Sequence, residues 1–270
     1  MAKLDRLGWA VSRSYEVAGI AFGVRTNSEA FAEWLDDALA AYRIDEEMPG
    51  YYSVLIADSA KPGKRFHLVY AETRVLVRSR SLETIARALL SQFEFLLLPE
   101  RDDAIYAEMT LVASNGRRAL VPPVLLPLLE SFSRWDIERS GLVLPDTTTV
   151  AIDPGSGDIV PMPSVLDVRA GALEELARLE SPGAEPRVSV DRPFTADAVV
   201  TFGDTMEALR PVSKAETLYR AAGHSLNLGR IGGEIGLDGL RKTVERAPCF
   251  EMGVGAWNEA LEGLASVLRP

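Results

Sequence analysis

Arginines at two places in the chain have the clearest capacity for specific recognition. Arg74, Arg78 and Arg80 lie within the stretch RVLVRSRS, and Arg117 and Arg118 are neighbours further along the chain. In a strand, Arg78 and Arg80 would project from the same face. Because a guanidinium group pairs bidentately with a carboxylate, these arginines are candidate residues for binding an acidic peptide. A solvated charged face is the alternative that the same pattern allows.

Other residues that carry chemistry are few. Asp146 is a candidate general base for a hydroxyl nucleophile, or alternatively a turn carboxylate that bonds nearby backbone N–H groups. His67, His224 and the single cysteine, Cys249, are far apart in the sequence, so no metal-ligand spacing occurs and no metal is expected. The stretch GRIGGEIGLDG, residues 229–239, lacks the glycine spacing of a dinucleotide fingerprint and is interpreted as a flexible loop that enters a helix.

The first hundred residues show the periodicities of a small α+β region. Apolar side chains recur at helical spacing behind Ser28, which is a favourable N-cap, and strand-like alternation follows. The predicted elements are a helix over 28–42, strands over 51–59, 66–73 and 74–81, and a helix over 82–98. We therefore predict a first domain over residues 1–100.

From residue 101 the pattern changes to that of an α/β core, which predicts a second domain over residues 101–270. Asn115-Gly116, between two apolar runs, is a strong signal for a β-hairpin. The further predicted strands are 141–154, 158–168, 198–202 and 249–254, and the further predicted helices are 125–132, 171–180, 214–224, 237–246 and 257–268. The expected fold is an α/β core with a mixed sheet, preceded by the smaller α+β region.

In this order, four segments resemble the HPr kinase-related proteins, a branch of the PEP carboxykinase-like P-loop fold. The similar segments are FGVRTNSEAFAEWLDDALAAY, AEMTLVASNGRRALVPP, GLVLPDTTTVAIDPGSGDIVPMP and CFEMGVGAWNEALEGLASVL, and the resemblance spans nearly the whole chain. It implies an HPr kinase/PEP carboxykinase-like core. It also implies a bacterial protein that works beside the biosynthesis of ribosomally made peptide natural products (RiPPs).

The sequence departs from that family where the phosphates would bind. After ALVPP the family continues with GxxGxGKST, whose backbone N–H groups, lysine and hydroxyl hold the phosphates and magnesium. Here residues 122–127 read PPVLLP, without glycine, lysine or hydroxyl, and proline also lacks the N–H donor. An acidic pair is reduced to Asp146-Thr147, the early histidine is Glu108, and a basic position is Ser164.

These departures imply a pseudoenzyme without a nucleotide cofactor, which binds a peptide or protein partner and is not an active kinase. Two alternatives stay open. One is an atypical phosphotransferase, or a repurposed enzyme, that acts on a peptide. The other is a regulatory domain that senses a small ligand in the vacated nucleotide cleft. A homodimer is also expected, because the family commonly oligomerises and twofold symmetry is the commonest arrangement.

Composition restricts the classes of partner. The chain has 270 residues and a net charge of −10, which disfavours nucleic acid and an anionic membrane surface as partners. No signal-peptide core and no run of about 18–20 apolar residues occurs, so we expect no membrane association. A single cysteine excludes an internal disulfide and fits a reducing compartment. The expected location is the cytoplasm.

Overall fold

The structure is a computed structural model that describes residues 8–57, 66–122, 140–145, 149–162, 166–169, 171–178, 187–188, 190–203, 207, 209–253 and 257–269. The chain divides into two compact units. The first unit comprises Met1–Leu97 and Ser164–Ala184, and the second comprises Leu98–Pro163 and Glu185–Pro270.

The first unit is built on a six-stranded sheet. Its strands are β1 (Val11–Val17), β2 (Ile20–Thr26), β3 (Arg43–Ile44), β4 (Gly50–Leu55), β5 (His67–Ala71) and β6 (Arg74–Ser79). They lie in the order β3-β1-β2-β4-β5-β6, so β6 forms one edge. The pair β2–β4 is parallel, whereas the other pairs are antiparallel.

Helices pack on this sheet through an aromatic core. They are α1 (Glu29–Ala38), α2 (Leu82–Leu97) and α3 (Ala172–Arg178). The predicted cap is confirmed, because the Ser28 hydroxyl accepts a hydrogen bond from the Phe31 N–H at 3.3 Å. The rings of Phe22 and Phe93 lie 4.7 Å apart in the buried centre of the unit. Short 3-10 turns, Ala40–Tyr42 and Leu98–Glu100, follow α1 and α2.

Helix α3 belongs to the first unit, which differs from a simple boundary at residue 100. The Trp34 indole N–H donates to the Ala172 carbonyl at 2.8 Å, and the Arg169 N–H donates to the Ala38 carbonyl at 3.2 Å. Leu176 is 3% exposed within the same core. Contacts between elements so distant in sequence leave no local signal. The boundary predicted at residue 100 therefore placed residues 164–184 in the second domain, whereas they belong to the first unit.

The second unit is centred on a five-stranded mixed sheet. Its strands are β8 (Thr110–Ser114), β9 (Arg117–Val121), β14 (Ala198–Gly203), β15 (Arg210–Pro211) and β16 (Cys249–Gly253), in the order β15-β16-β14-β9-β8. Strands β9, β14 and β16 run parallel. The unit also contains β7 (Ile105–Ala107), β10 (Leu144–Pro145), β11 (Val150–Ile152), β12 (Ile159–Val160) and β13 (Arg187–Val188).

Both faces of the five-stranded sheet are buried. The helices of this unit are α4 (Lys214–Gly223), α5 (Leu228–Ile231), α6 (Gly233–Arg246) and α7 (Trp257–Val267). Leu120 and Val199 belong to a cluster with Leu240 of α6, while Val200 belongs to a second cluster with Leu264 of α7. Successive residues of β14 therefore face different helices, because side chains alternate between the two faces of a sheet. The chain is a mixed α/β protein, as predicted.

The hairpin predicted at Asn115-Gly116 is confirmed. Both residues adopt positive φ, 52° and 78°, as a tight turn between twisted strands requires. Strands β8 and β9 pair antiparallel on either side of this turn. Within the part of the chain that the structure describes, no helix has the length and apolar character needed to cross a bilayer.

The glycine-rich stretch 229–239 is helical, so its interpretation as a flexible loop is wrong. Gly232, with φ of 98°, separates α5 from α6, and α6 begins directly after it. A Cβ on Gly236 would stand 2.6 Å from Leu228 Cδ2, and one on Gly239 would stand 2.7 Å from Ile105 Cδ1. These glycines permit close packing of the helix, a role that glycine spacing alone does not reveal.

We predict that Gly239→Ala destabilises the protein. Its Cβ would also meet the Pro154 Cα at 2.8 Å, and this backbone atom has little room to move. Overpacking costs about 1–3 kcal/mol, which outweighs the gain of about 1 kcal/mol in helix propensity. Urea unfolding measures the change. Gly233→Ala is the matched control, because no atom lies within 4 Å of its Cβ, and it should leave stability equal or higher. Equal effects of the two substitutions would contradict the packing role.

Candidate functional site

Strand β6 is an open edge of the first sheet. It pairs with β5 on one side, and no described strand pairs with its other side. In an antiparallel pair, alternate residues direct their N–H and C=O groups away from the partner strand. Such an edge is a template for another strand, and proteins usually protect it with charge, bulges or short length.

A β-bulge interrupts the pairing of β6 with β5 and changes the face of the sheet to which the arginine on its far side points. Val77 pairs with Val69, but the next pair joins Val75 to Tyr70, so Leu76 has no counterpart. Beyond the bulge, the side-chain alternation of β6 is inverted relative to a regular strand.

The bulge places Arg74 and Arg78 on opposite faces of the sheet. Arg78 pairs with Leu68 and Arg74 pairs with Ala71. Leu68 and Ala71 are three residues apart in a regular strand, so they point to opposite faces, and each arginine shares the face of its partner. The structure thus separates Arg74 from the other predicted residues of this strand.

Arg78 and Arg80 converge on a single aromatic ring. Their guanidinium carbons lie 4.0 Å and 4.9 Å from the centroid of the Phe66 ring. Both side chains are exposed, and no acidic side chain in the described ranges forms an ion pair with either. Cation–π contact offsets part of the repulsion between two like charges but does not neutralise them. The pair is therefore a cationic site with unused hydrogen-bond donors.

His67 supports this end of the edge as a neutral residue. It is 9% exposed, and its Nδ1 accepts the Ala57 N–H at 2.9 Å. Burial lowers the pKa of His67, while a hydrogen bond with the Arg80 backbone opposes that change. The imidazole thus ties the backbone of Arg80 to the end of β4.

Arg117 and Arg118 lie in the second unit and are engaged there. Arg117 Nε lies 3.4 Å from Asp197 Oδ1, and its Nη1 donates to the Arg269 carbonyl at 2.7 Å. The Arg118 guanidinium carbon lies 4.3 Å from the Phe194 ring centroid, and the Arg118 backbone N–H donates to Asp197 at 2.8 Å. One carboxylate thus offsets the charge of this region, unlike that of Arg78 and Arg80.

The carboxyl ends of three parallel strands form a second candidate binding region. Strands β9, β14 and β16 end at Val121, Gly203 and Gly253, and these ends lie together along one border of the sheet, which we call its carboxyl edge. In open α/β sheets this edge is the usual ligand site. Asp146, the candidate base, lies outside the described residues. No group of three His, Cys, Asp or Glu side chains within the described ranges is placed to hold a metal ion.

A buried carboxylate at this edge was not predicted from the sequence. Glu251 of β16 is 1% exposed, and it accepts Arg210 Nε at 2.6 Å and pairs with Arg220 Nη2 at 2.9 Å. Burial alone would raise its pKa, but the bonds from Arg210 and Arg220 outweigh burial, so the pKa lies below its usual value. Gly203 is required beside it, because a Cβ there would stand 1.1 Å from Glu251 Oε1. A charged residue within the apolar strand CFEMG was the available signal.

Arg210 and Arg220 form a clamp on Glu251 that connects neighbouring elements of the second unit, and both arginines have an acidic partner within it. Arg220 also donates to the Phe202 carbonyl at 2.5 Å and pairs with Glu216 at 2.5 Å. Arg210 and Arg220 therefore fasten β15 and α4 to the ends of β14 and β16. Because each arginine already has an acidic partner, this cluster is a poorer anion site than the pair at Phe66.

We predict that Glu251→Gln lowers stability at pH 7 more than at pH 3.5. The lowered pKa means that the carboxylate stabilises the fold above about pH 4.3, and that this contribution is lost as the pH falls through the folded-state pKa. Loss of the charged hydrogen bonds costs about 1.5–3 kcal/mol at pH 7. Urea unfolding at both pH values gives the difference.

Glu245→Gln is the matched control for that substitution. Glu245 pairs with Arg241 on the exposed surface of α6, at 2.7 Å and with half of each side chain exposed, so its loss should change stability little at either pH. A Glu251→Gln variant as stable as the parent at pH 7, or equally destabilised at both pH values, would contradict the clamp.

Comparison with known proteins assigns no family to these features. No model of a known protein family matches the chain. No curated protein sequence is similar to it either. The HPr kinase-related identity therefore stays a prediction from the resemblance of the four segments.

Proposed function

We propose that this chain is a non-catalytic binding protein that takes an acidic, extended peptide or protein segment as an additional strand on β6. The observation that carries the proposal is the convergence of Arg78 and Arg80 on Phe66, with no acidic partner among the described residues, at the end of an edge strand to which no described strand pairs. Strand addition obtains its affinity from main-chain hydrogen bonds and its selectivity from alternate side chains. The edge offers both.

Charge supports an acidic partner. The whole chain carries a net charge of −10, so two guanidinium groups at one ring, without an acidic partner among the described residues, are a local inversion of sign. Such an inversion attracts carboxylates and orients them during encounter. Contact with Phe66 also restricts both side chains before binding, which reduces the entropy lost when a partner binds.

Charged residues also protect strand edges from unwanted pairing, and this role competes with recognition. Protection against unwanted pairing needs only a charged side chain at the edge, whichever way that side chain points. Recognition needs both guanidinium groups in a fixed place. The convergence of Arg78 and Arg80 on Phe66 favours recognition, because protection of the edge does not require two like charges to lie close together.

The resemblance gives this binding role a setting. In this proposal the chain is an HPr kinase-like pseudoenzyme of the bacterial cytoplasm, an accessory protein in RiPP biosynthesis, and its partner is a precursor peptide or a protein of that pathway. It acts without a nucleotide cofactor and as a homodimer. The absent GxxGxGKST loop, which PPVLLP replaces, supports this part of the proposal.

A second candidate function is binding of a small ligand at the carboxyl edge of β9, β14 and β16. The observation that favours it is the parallel arrangement of these strands, which in open α/β sheets directs ligands to that edge. An atypical phosphotransferase that acts on a peptide would use the same edge.

We predict that an eight-residue peptide rich in aspartate binds the protein and that Arg78→Glu weakens this binding about tenfold or more, because the substitution replaces attraction with repulsion. Fluorescence anisotropy of the labelled peptide measures the dissociation constant. Arg117→Glu is the comparison in the second unit and should leave it within about twofold, since the charge of Arg117 is already offset by Asp197.

A backbone-modified peptide separates strand addition from simple charge attraction. N-methylation of alternate amides removes the hydrogen bonds that an added strand makes to an edge, but keeps the carboxylates. We expect the methylated peptide to lose binding. Equal binding of both peptides, or no binding of either, would contradict the proposed function.

We predict no binding of Mg-ATP or Mg-GTP. A phosphate loop contributes several charge-assisted hydrogen bonds of about 1.5–3 kcal/mol each, so losing them together weakens affinity by many orders of magnitude. Isothermal titration calorimetry is the direct test. A micromolar dissociation constant would overturn the pseudoenzyme assignment and favour the second candidate.

A further inference from the structure

We infer that the β6 edge selects an extended segment whose carboxylates stand at alternate positions, i and i+2, and does not select acidity as such. This inference rests on the proposed function, since it names the pattern that the same site would recognise. Its basis is the spatial relation among Arg78, Arg80, Phe66 and the bulge at Leu76.

The two guanidinium groups define one face. Arg78 shares the face of its partner Leu68 in β5. Arg80 lies one residue beyond the end of β6 and contacts the same Phe66 ring as Arg78, so we place both guanidinium groups on that side of the sheet. A strand advances about 3.3 Å per residue, and every second side chain points to the same face. A segment lying beside β6 therefore presents positions i and i+2 to this arginine pair.

Other spacings lose one of the two ion pairs. In an extended segment, carboxylates at i and i+1 point to opposite faces, as do carboxylates at i and i+3. Only one of them can then reach the face that holds Arg78 and Arg80. The remaining carboxylate faces the side on which Arg74 lies, but the bulge at Leu76 stands between Arg74 and the end of the strand.

No acidic side chain in the described part of the chain pairs with Arg78 or Arg80, so each guanidinium group can bind a carboxylate of the partner. A single carboxylate would leave one positive charge of the pair uncompensated. Two carboxylates on the same face compensate both charges, and each can form the two parallel hydrogen bonds that a guanidinium group offers. The site thus matches two acidic side chains in number as well as in spacing.

Three peptides of equal length and charge test the spacing. Each has eight residues, threonine throughout except for two aspartates, which stand at i and i+2, at i and i+1, or at i and i+3. Fluorescence anisotropy at low and at physiological salt gives their dissociation constants with the parent protein and with Arg78→Gln, Arg80→Gln and Arg74→Gln variants.

We expect the i, i+2 peptide to bind the parent about tenfold more tightly than the other two, which is the effect of one good charged contact. Arg78→Gln and Arg80→Gln should each abolish this preference. Arg74→Gln, on the opposite face, should retain it, and it is the matched control for the loss of one positive charge. Thermal unfolding of each variant confirms that it remains folded.

Two results overturn the inference, and they are distinguishable from failure of the proposed function. If all three peptides bind equally and alternate N-methylation abolishes binding, strand addition stands but the spacing rule is wrong. If the i, i+2 preference survives in Arg78→Gln, another site provides it and the inference is also wrong. If no peptide binds the parent, both the proposed function and the inference fail.

Discussion

The outer edge of β6 carries backbone N–H and C=O groups that no described strand satisfies, and the proposed strand addition depends on these groups. In the proposed binding mode, an added strand satisfies these groups with a fixed direction and register. Val69 of β5 and Val77 of β6 belong to the buried core of the first unit, so this core packs against the strands that form the edge. A strand that is already ordered loses little conformational freedom on binding, and that favours it over a loop as a binding surface.

Two features of this edge restrict which partners the proposed strand addition accepts. The bulge at Leu76 interrupts the regular strand, and therefore limits how far another strand can pair. The arginine pair at Phe66 penalises partners that bring positive charge, which includes the same edge of a second copy. An expected homodimer would thus use a different surface. The clamped Glu251 in the second unit shows the contrasting case, because its arginines already have acidic partners.

Signals that lie within a few residues could be predicted from the sequence. The Ser28 cap and the Asn115-Gly116 turn each depend on local backbone geometry, and both are present. Features that depend on strand register or on contacts between distant segments could not be predicted. The bulge at Leu76 exists only in the register of β6 against β5, and the buried charge of Glu251 is explained only by Arg210 and Arg220. The packing role of Gly239 could not be predicted for the same reason, since it consists of close contact with Ile105 and Pro154.

Hydrogen–deuterium exchange with and without the aspartate-rich peptide shows whether the peptide adds as a strand to β6. An added strand engages the outward amides of β6, so exchange should slow at residues 74–79. Strand β8 (residues 110–114), at one edge of the five-stranded sheet of the second unit, should show no change. Slowed exchange at 110–114, or unchanged exchange at 74–79 when the peptide is bound, would contradict the account.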